Sequence, residues 1–154
     1  MILDHERLDV YRLALDFLVF ANQVLETLPR GRAHLCDQLT RASTSIVLNL
    51  VEGAGKHSKA DKRRYYLTAR GSATESAALL DVLLRLGLLD EAGHRTGKET
   101  LVRVVSMLIK LATIVVLGPP VVAVVIFEVL LNATAMFNHG NIGLPARLDR
   151  ILRW

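Results

Sequence analysis

Apolar residues recur at helical spacing along the first three-quarters of the chain. From Val10 onwards, apolar positions alternate spacings of four and three residues, and this pattern predicts a helix from about Glu6 to Leu28. A second apolar stripe lies beside the first, which is typical of a bundle helix with neighbours on two sides. Pro29 and Gly31 then end the helix.

The same periodicity predicts a second helix from about Arg32 to Glu52 and a third that begins after Ser58 and extends to about Leu86. Glycines after Glu52 supply a stop signal. Ser58 followed by Asp61 resembles a capping box. The predicted core faces are Leu35, Leu39, Ala42, Ile46 and Leu50 on the second helix and Tyr65, Ala69, Ser72, Ser76, Leu79, Leu83 and Leu86 on the third.

A fourth helix is predicted to begin at Thr96, where the sequence Thr96-Gly-Lys-Glu99 has the full capping-box pattern, and to extend to about Leu117. The connections, at about residues 29–32, 53–58 and 87–96, are short and favour antiparallel neighbours. The predicted fold class is therefore all-α, an antiparallel up-down-up-down four-helix bundle formed by residues 1–117.

A hydrophobic C-terminal extension, residues 118–154, follows the predicted bundle. Residues 111–137 contain 20 apolar residues in 27, enough by length to cross a bilayer. The pair Pro119-Pro120 and the ionisable Glu128 oppose a simple span. A fifth helix, packed on the bundle or at a subunit contact, is the favoured interpretation, and a membrane-associated segment is the alternative.

Composition and cysteine content exclude several classes of protein. The chain has 154 residues, 51% of them hydrophobic, so it can bury a core without a disulfide or metal. Its single cysteine, Cys36, excludes an internal disulfide and fits a reducing compartment. The charged N-terminus has no signal-peptide core, so we expect a cytoplasmic protein. The five histidines lack metal-ligand spacing, and we predict no metal, cofactor or catalytic residue.

Positive charge is concentrated at the start of the third helix. Between Lys56 and Arg70 there are six cations and one anion, a balance of +5 within a chain of net charge +4. The spacing predicts a basic stripe with one aromatic residue that could stack on a base, flanked by Lys56 and Lys62; its members are Lys59, Arg63, Tyr66 and Arg70. The alternative is an ordinary solvated helix face.

The second helix also carries a polar stripe beside its apolar face, formed by Gln38, Arg41, Ser45, Asn49 and Glu52. One interpretation is the solvated side of an amphipathic helix. The other is a polar seam, buried between helices or used at a subunit interface. Arg41 and Glu52 are too far apart on one helix to pair, so each would need a partner elsewhere.

The segments QLTRASTSIVLNLVEGAGKHS (38–58) and YYLTARGSATES (65–76) resemble a known family. This is the family of small four-helix-bundle proteins encoded in intervening sequences of bacterial 23S ribosomal RNA genes, to which accessory proteins of diversity-generating retroelements are related. The resemblance covers residues 5–117. Its pattern is Gln38-Leu39, Arg41-Ala42, Ser45-Ile46, Asn49, Glu52-Gly53, Ala69, Gly71-Ser72 and Glu75.

The resemblance implies a left-handed up-and-down bundle, a homopentameric ring, nucleic-acid binding by basic surfaces and no established enzymatic activity. In the retroelement relatives a reverse transcriptase is a further partner. Arg41, Glu52 and Glu75 are expected to make structural polar contacts within or between bundles. The leading hypothesis is a non-enzymatic ring that binds nucleic acid, RNA above all. The alternatives are a protein-interaction scaffold and, less favoured, a membrane-associated adaptor that uses the C-terminal extension.

Overall fold

The computed structural model describes residues 2–117 together with Glu128. A short 3-10 turn, Asp4–Arg7, precedes four α-helices, and the residues described contain no strand. The predicted all-α class is confirmed. The helices are α1 (Asp9–Thr27), α2 (Ala33–Gly55), α3 (Lys59–Arg85) and α4 (Glu91–Leu117).

The four helices form the predicted up-down-up-down bundle. Each helix packs against the next one along the chain, and α4 closes the bundle by packing against α1. Within the part of the chain that the structure describes, the diagonal pairs α1–α3 and α2–α4 do not pack together. The most extensive helix contacts are those of α3 with α2 and with α4, so both flanks of α3 are covered.

The predicted apolar faces of α1 and α2 form the core. Phe17, Leu39 and Ile46 are completely buried, and the other predicted positions from Val10 to Leu50, apart from the half-buried Leu28, are also buried. On α3 the prediction is partly wrong, because Tyr65 is only half-buried and Leu86 is exposed. Because α2 and α4 pack on the two flanks of α3, the buried part of the α3 surface is wider than a single apolar stripe. The additional buried residues on α3 are Tyr66, Ala73 and Leu80.

Two of the predicted helix boundaries agree with local hydrogen bonding. The Ser58 side chain accepts a hydrogen bond from the Asp61 backbone N–H at 3.4 Å, which caps α3 as expected. At the other end of α3, Gly87 has φ +67°. The Leu88 N–H donates to the Leu83 carbonyl at 2.9 Å, a Schellman-type closure that needs a left-handed residue at Gly87.

The predicted start of α4 is wrong by five residues. The helix begins at Glu91, and Asp90 Oδ1 accepts from the Gly93 backbone N–H at 2.8 Å, so Asp90 is the cap. Thr96 lies inside the helix, where its hydroxyl donates to the Ala92 carbonyl at 2.9 Å. Because the turn at Gly87 makes the connection between α3 and α4 short, α4 has about one and a half helical turns before Thr96 that the sequence pattern did not predict.

The predicted fifth helix or membrane segment, in the extension over residues 118–154, lies outside the described residues except for Glu128, which is helical. Among the helices described, none is both long enough and apolar enough to cross a membrane.

Candidate functional site

A groove between α3 and α4 brings together three cations of the predicted basic stripe. Lys59, Arg63 and Arg70 follow one another along α3 at spacings of four and seven residues, so they lie on one side of the helix. Because α4 runs antiparallel to α3, its last turns face the start of α3. The groove has a volume of about 670 Å³, and its other lining residues are Ala60, Leu67, Ile109, Ala112, Thr113 and Val116.

The three groove cations are exposed and carry uncompensated charge. Among the described residues, none of Lys59, Arg63 and Arg70 forms an ion pair within 4.0 Å. The lining from α4 is aliphatic apart from Thr113. Long basic side chains place their methylene stems along apolar surface and keep their charged ends in water. The groove therefore presents positive charge that is available to an anionic ligand.

Lys56 and Lys62, the predicted flanking cations, do not line the groove. Lys56 Nζ lies 3.2 Å from Glu52 Oε2 and 5.0 Å from the ring centre of Tyr65. The hydrogen bond with Glu52, aided by the charge of Tyr65 when ionised, raises the pKa of Lys56. Lys62 is half-buried. These two lysines thus differ from the groove cations in position, and Lys56 also differs in having its charge paired.

Tyr66 is not an exposed member of the stripe, and the prediction that it could stack on a base is wrong. Its side chain is 3% exposed, and burial raises the pKa of its hydroxyl. The ring packs on Gly53 of α2. The neighbouring Tyr65 is the half-exposed one, with Arg64 5.2 Å from its ring centre on the surface. Of the two tyrosines, Tyr66 is the one that packs against α2 and is buried in the core.

The polar stripe of α2 forms a polar seam against α3 over part of its length. Asn49 Nδ2 donates to Ser45 Oγ at 3.0 Å, and Ser45 Oγ lies 2.8 Å from Ser72 Oγ. The Ser72 hydroxyl also donates to the Thr68 carbonyl at 3.2 Å. The result is a chain of hydrogen bonds between α2 and α3, in which each hydroxyl has a partner.

The other members of the stripe, with Glu75 of α3, lie on the outer surface. Gln38, Arg41 and Glu75 are exposed, and Glu52 is exposed in its ion pair with Lys56. Both interpretations of the stripe therefore apply, each to different residues. The seam lies between helices, whereas the remaining polar side chains are solvated in the monomer.

Two features of the site region have only a weak signal in the sequence. The α4 wall of the groove comes from residues about 50 positions after Lys59. The side chains of Ile109 and Val116 there are 45% and 53% exposed, which distinguishes them from core positions.

The second feature is an ion cluster, in which Asp81 of α3 binds Lys98 Nζ at 2.8 Å and His94 Nε2 at 2.7 Å. It links α3 to the first turns of α4.

Metal-ligating groups are not clustered in the part of the chain that the structure describes. No three His, Cys, Asp or Glu side chains there are placed to hold a metal ion. The groove itself presents positive charge beside aliphatic surface.

Comparison with known proteins gives one family and a matching fold. The family model described as 23S rRNA-intervening sequence protein matches residues 6–110. A solved structure of a protein of unknown function from the S23 ribosomal protein family of Bacteroides thetaiotaomicron VPI-5482 is similar, with a TM-score of 0.63 and 22% identity. The match covers 67% of this chain and 97% of that one and shows a shared fold. No curated protein matches the chain.

Proposed function

The chain belongs to the family of 23S rRNA-intervening sequence proteins, and from that premise we propose that it is a non-enzymatic, cytoplasmic protein that binds nucleic acid, RNA above all, through the groove between α3 and α4. The predicted bundle and family, both confirmed, make the basic surface of α3 the first place to look for a ligand. Binding by contact with phosphates needs no catalytic group.

The observation that carries the proposal is the arrangement of Lys59, Arg63 and Arg70. The three lie in one concave surface, exposed and without acidic partners within the described residues. Such a cluster releases counterions from a polyanion when it binds, so its affinity falls as salt rises. An ordinary solvated helix face more often mixes acids with bases, and this groove lining contains no acid.

Charge reversal tests the proposal. We expect the combined variant Lys59→Glu, Arg63→Glu and Arg70→Glu to lose binding to an RNA hairpin, measured by fluorescence anisotropy over a range of salt concentrations. The matched control reverses three exposed arginines away from the groove, Arg12, Arg30 and Arg85, and changes the net charge equally. Equal loss in both variants, or no binding by the wild type at low salt, would contradict a groove-specific role.

We also propose that copies of the chain assemble into a ring, as a homopentamer, through the outer surface of α2 and α3. This surface carries the exposed polar residues Arg41 and Glu75 together with two aliphatic side chains, Leu48 at 57% and Val82 at 40% exposure. In a ring, several weak grooves would act on one polyanion and raise the overall affinity. Light scattering of the wild type and of Leu48→Glu measures the assembly, and a monomeric wild type would refute it.

A protein-interaction scaffold is the second candidate, because the same outer surface of α2 and α3 combines aliphatic and polar groups. A reverse transcriptase encoded nearby would be the partner to test. Co-purification of such an enzyme with the wild type, lost in Leu48→Glu but retained in the groove variant, would favour this function over nucleic-acid binding.

A further inference from the structure

We infer that the groove recognises the sugar–phosphate backbone of a double helix and does not read bases. The inference rests on the proposed function and names the form of nucleic acid that the groove selects. Three properties of the lining support it: the residue types that it contains, the position of the nearby aromatic rings, and the spacing of the cations.

The lining offers few groups that read base edges. Apart from the cations and Thr113, every lining residue is aliphatic, so no Asn, Gln, Asp or Glu is available there to pair with a base. Arginine reads guanine in the major groove of DNA. In double-helical RNA that groove is deep and narrow, and side chains do not reach its bases. Arg63 and Arg70 are therefore left with phosphates and sugars as ligands.

No aromatic ring lines the groove among the described residues, although single strands are held largely by stacking of bases on such rings. Tyr66, the one tyrosine that the helical spacing places in the stripe, is buried. Tyr65 is half-exposed, but both Lys56 and Arg64 lie within 5.2 Å of its ring centre, and it does not line the groove. An unpaired strand would thus gain no stacking at this site.

Without stacking, charge density decides between the two forms of nucleic acid. Lys59 and Arg70 are 11 residues apart on one helix, which separates their backbone positions by about 16 Å along the axis. A duplex places about one phosphate charge every 1.7 Å of its axis, and each phosphate neutralised releases more counterion than on a single strand. Three cations along one line hence favour the duplex.

The test compares three RNAs of equal length with the full chain by fluorescence anisotropy at one moderate salt concentration. Two are hairpins with unrelated stem sequences, and the third is a strand unable to pair. We expect the two hairpins to bind with Kd values within about threefold of each other and the single strand to bind about fourfold more weakly at about 0.1 M salt, as the salt slopes of duplex and single strand predict for three phosphate contacts. The variant Tyr65→Leu serves as a control for stacking.

Each outcome is decisive. Hairpin Kd values that differ by more than about threefold would show base reading and overturn the inference, since phosphate contacts carry no sequence information. A single strand that binds as tightly as the hairpins, or a single-strand affinity that falls in Tyr65→Leu, would overturn it in favour of stacking. If none of the RNAs binds even at low salt, the proposed function itself fails, which is a distinct result.

Discussion

Gly53 of α2 and Tyr66 of α3 are in such close contact that a Cβ atom added to Gly53 would lie 2.6 Å from Cε1 of the tyrosine ring. The contact packs the last turn of α2 against α3 at a point about two turns after the first groove cation, Lys59. Gly53 does not end the helix, because α2 continues to Gly55. Its missing side chain makes space for a buried ring.

We expect Gly53→Ala to lower the free energy of unfolding by about 1–3 kcal/mol, because a buried ring must move to admit the methyl group. Urea denaturation measures the change. Gly55, two residues later, has no atom within 4 Å of an added Cβ, so Gly55→Ala is the matched control. It should be neutral or stabilising by up to about 1 kcal/mol, since alanine restricts the unfolded chain. Equal effects at the two positions would contradict the packing role of Gly53.

The two adjacent tyrosines show where sequence periodicity is sufficient and where it is not. On α1 a single stripe of apolar residues contains every buried residue, because this helix has a clear polar side, whereas on α2 the stripe omits Ser43 and Val47, which are also buried. Tyr65 and Tyr66 lie 100° apart on α3, and both border its small-residue face. The space opened by Gly53 on another helix decides which ring is buried. That information is not contained in the periodicity of α3.

The cap of α4 leads to a second prediction. Asp90→Ala should lower the free energy of unfolding by about 1 kcal/mol, because the Gly93 N–H loses its side-chain acceptor. If Thr96 were the N-cap, Thr96→Ala would show this loss instead. Thr96→Ala should be neutral or stabilising, since alanine is the better residue inside a helix. Urea denaturation of the two variants measures both effects. A larger loss in Thr96→Ala would place the helix start where the capping-box pattern predicted it.

The candidate site shows a similar division between what the sequence predicts and what the fold adds. The spacing of Lys59, Arg63 and Arg70 on one helix predicted a common face, and the structure brings these three into one groove. The opposite wall, around Ile109 and Val116, depends on how α4 runs back along α3, a tertiary relationship that no local pattern contains. The pairing of Lys56 with Glu52 is a local relationship by contrast, because the two residues are four positions apart on one helix face, a spacing that the sequence itself contains.

The ion cluster at Asp81 predicts a pH dependence of stability. Hydrogen bonds from Lys98 and then His94 lower the pKa of Asp81 below its ordinary value of 3.8. A carboxyl whose pKa is depressed by folding stabilises the protein fully above the unfolded pKa, and this stabilisation is lost as the pH falls through the folded pKa. Because the Asp81 side chain is 52% exposed, the contribution is at most about 1 kcal/mol.

Asp81→Asn tests this dependence. The difference in unfolding free energy between wild type and variant should shrink as the pH falls from about 5 to below 4, where the wild-type carboxylate becomes protonated. Chemical denaturation at a series of pH values measures it. Asp37→Asn is the control, because Asp37 is exposed and makes no ion pair among the described residues. A difference that grows as the pH falls below about 5 would refute the assignment.

The groove also predicts that the cations near the start of α3 contribute unequally to binding. Arg63→Ala and Arg70→Ala should each reduce the slope of log affinity against log salt by about 0.9 on a duplex, because each removes one phosphate contact. Lys56→Ala should leave the slope unchanged, because Lys56 lies outside the groove and is paired with Glu52. Anisotropy titrations of one hairpin RNA at several salt concentrations give the three slopes. If net charge alone governed binding, all three variants would lower the slope equally, and the groove would have no special role.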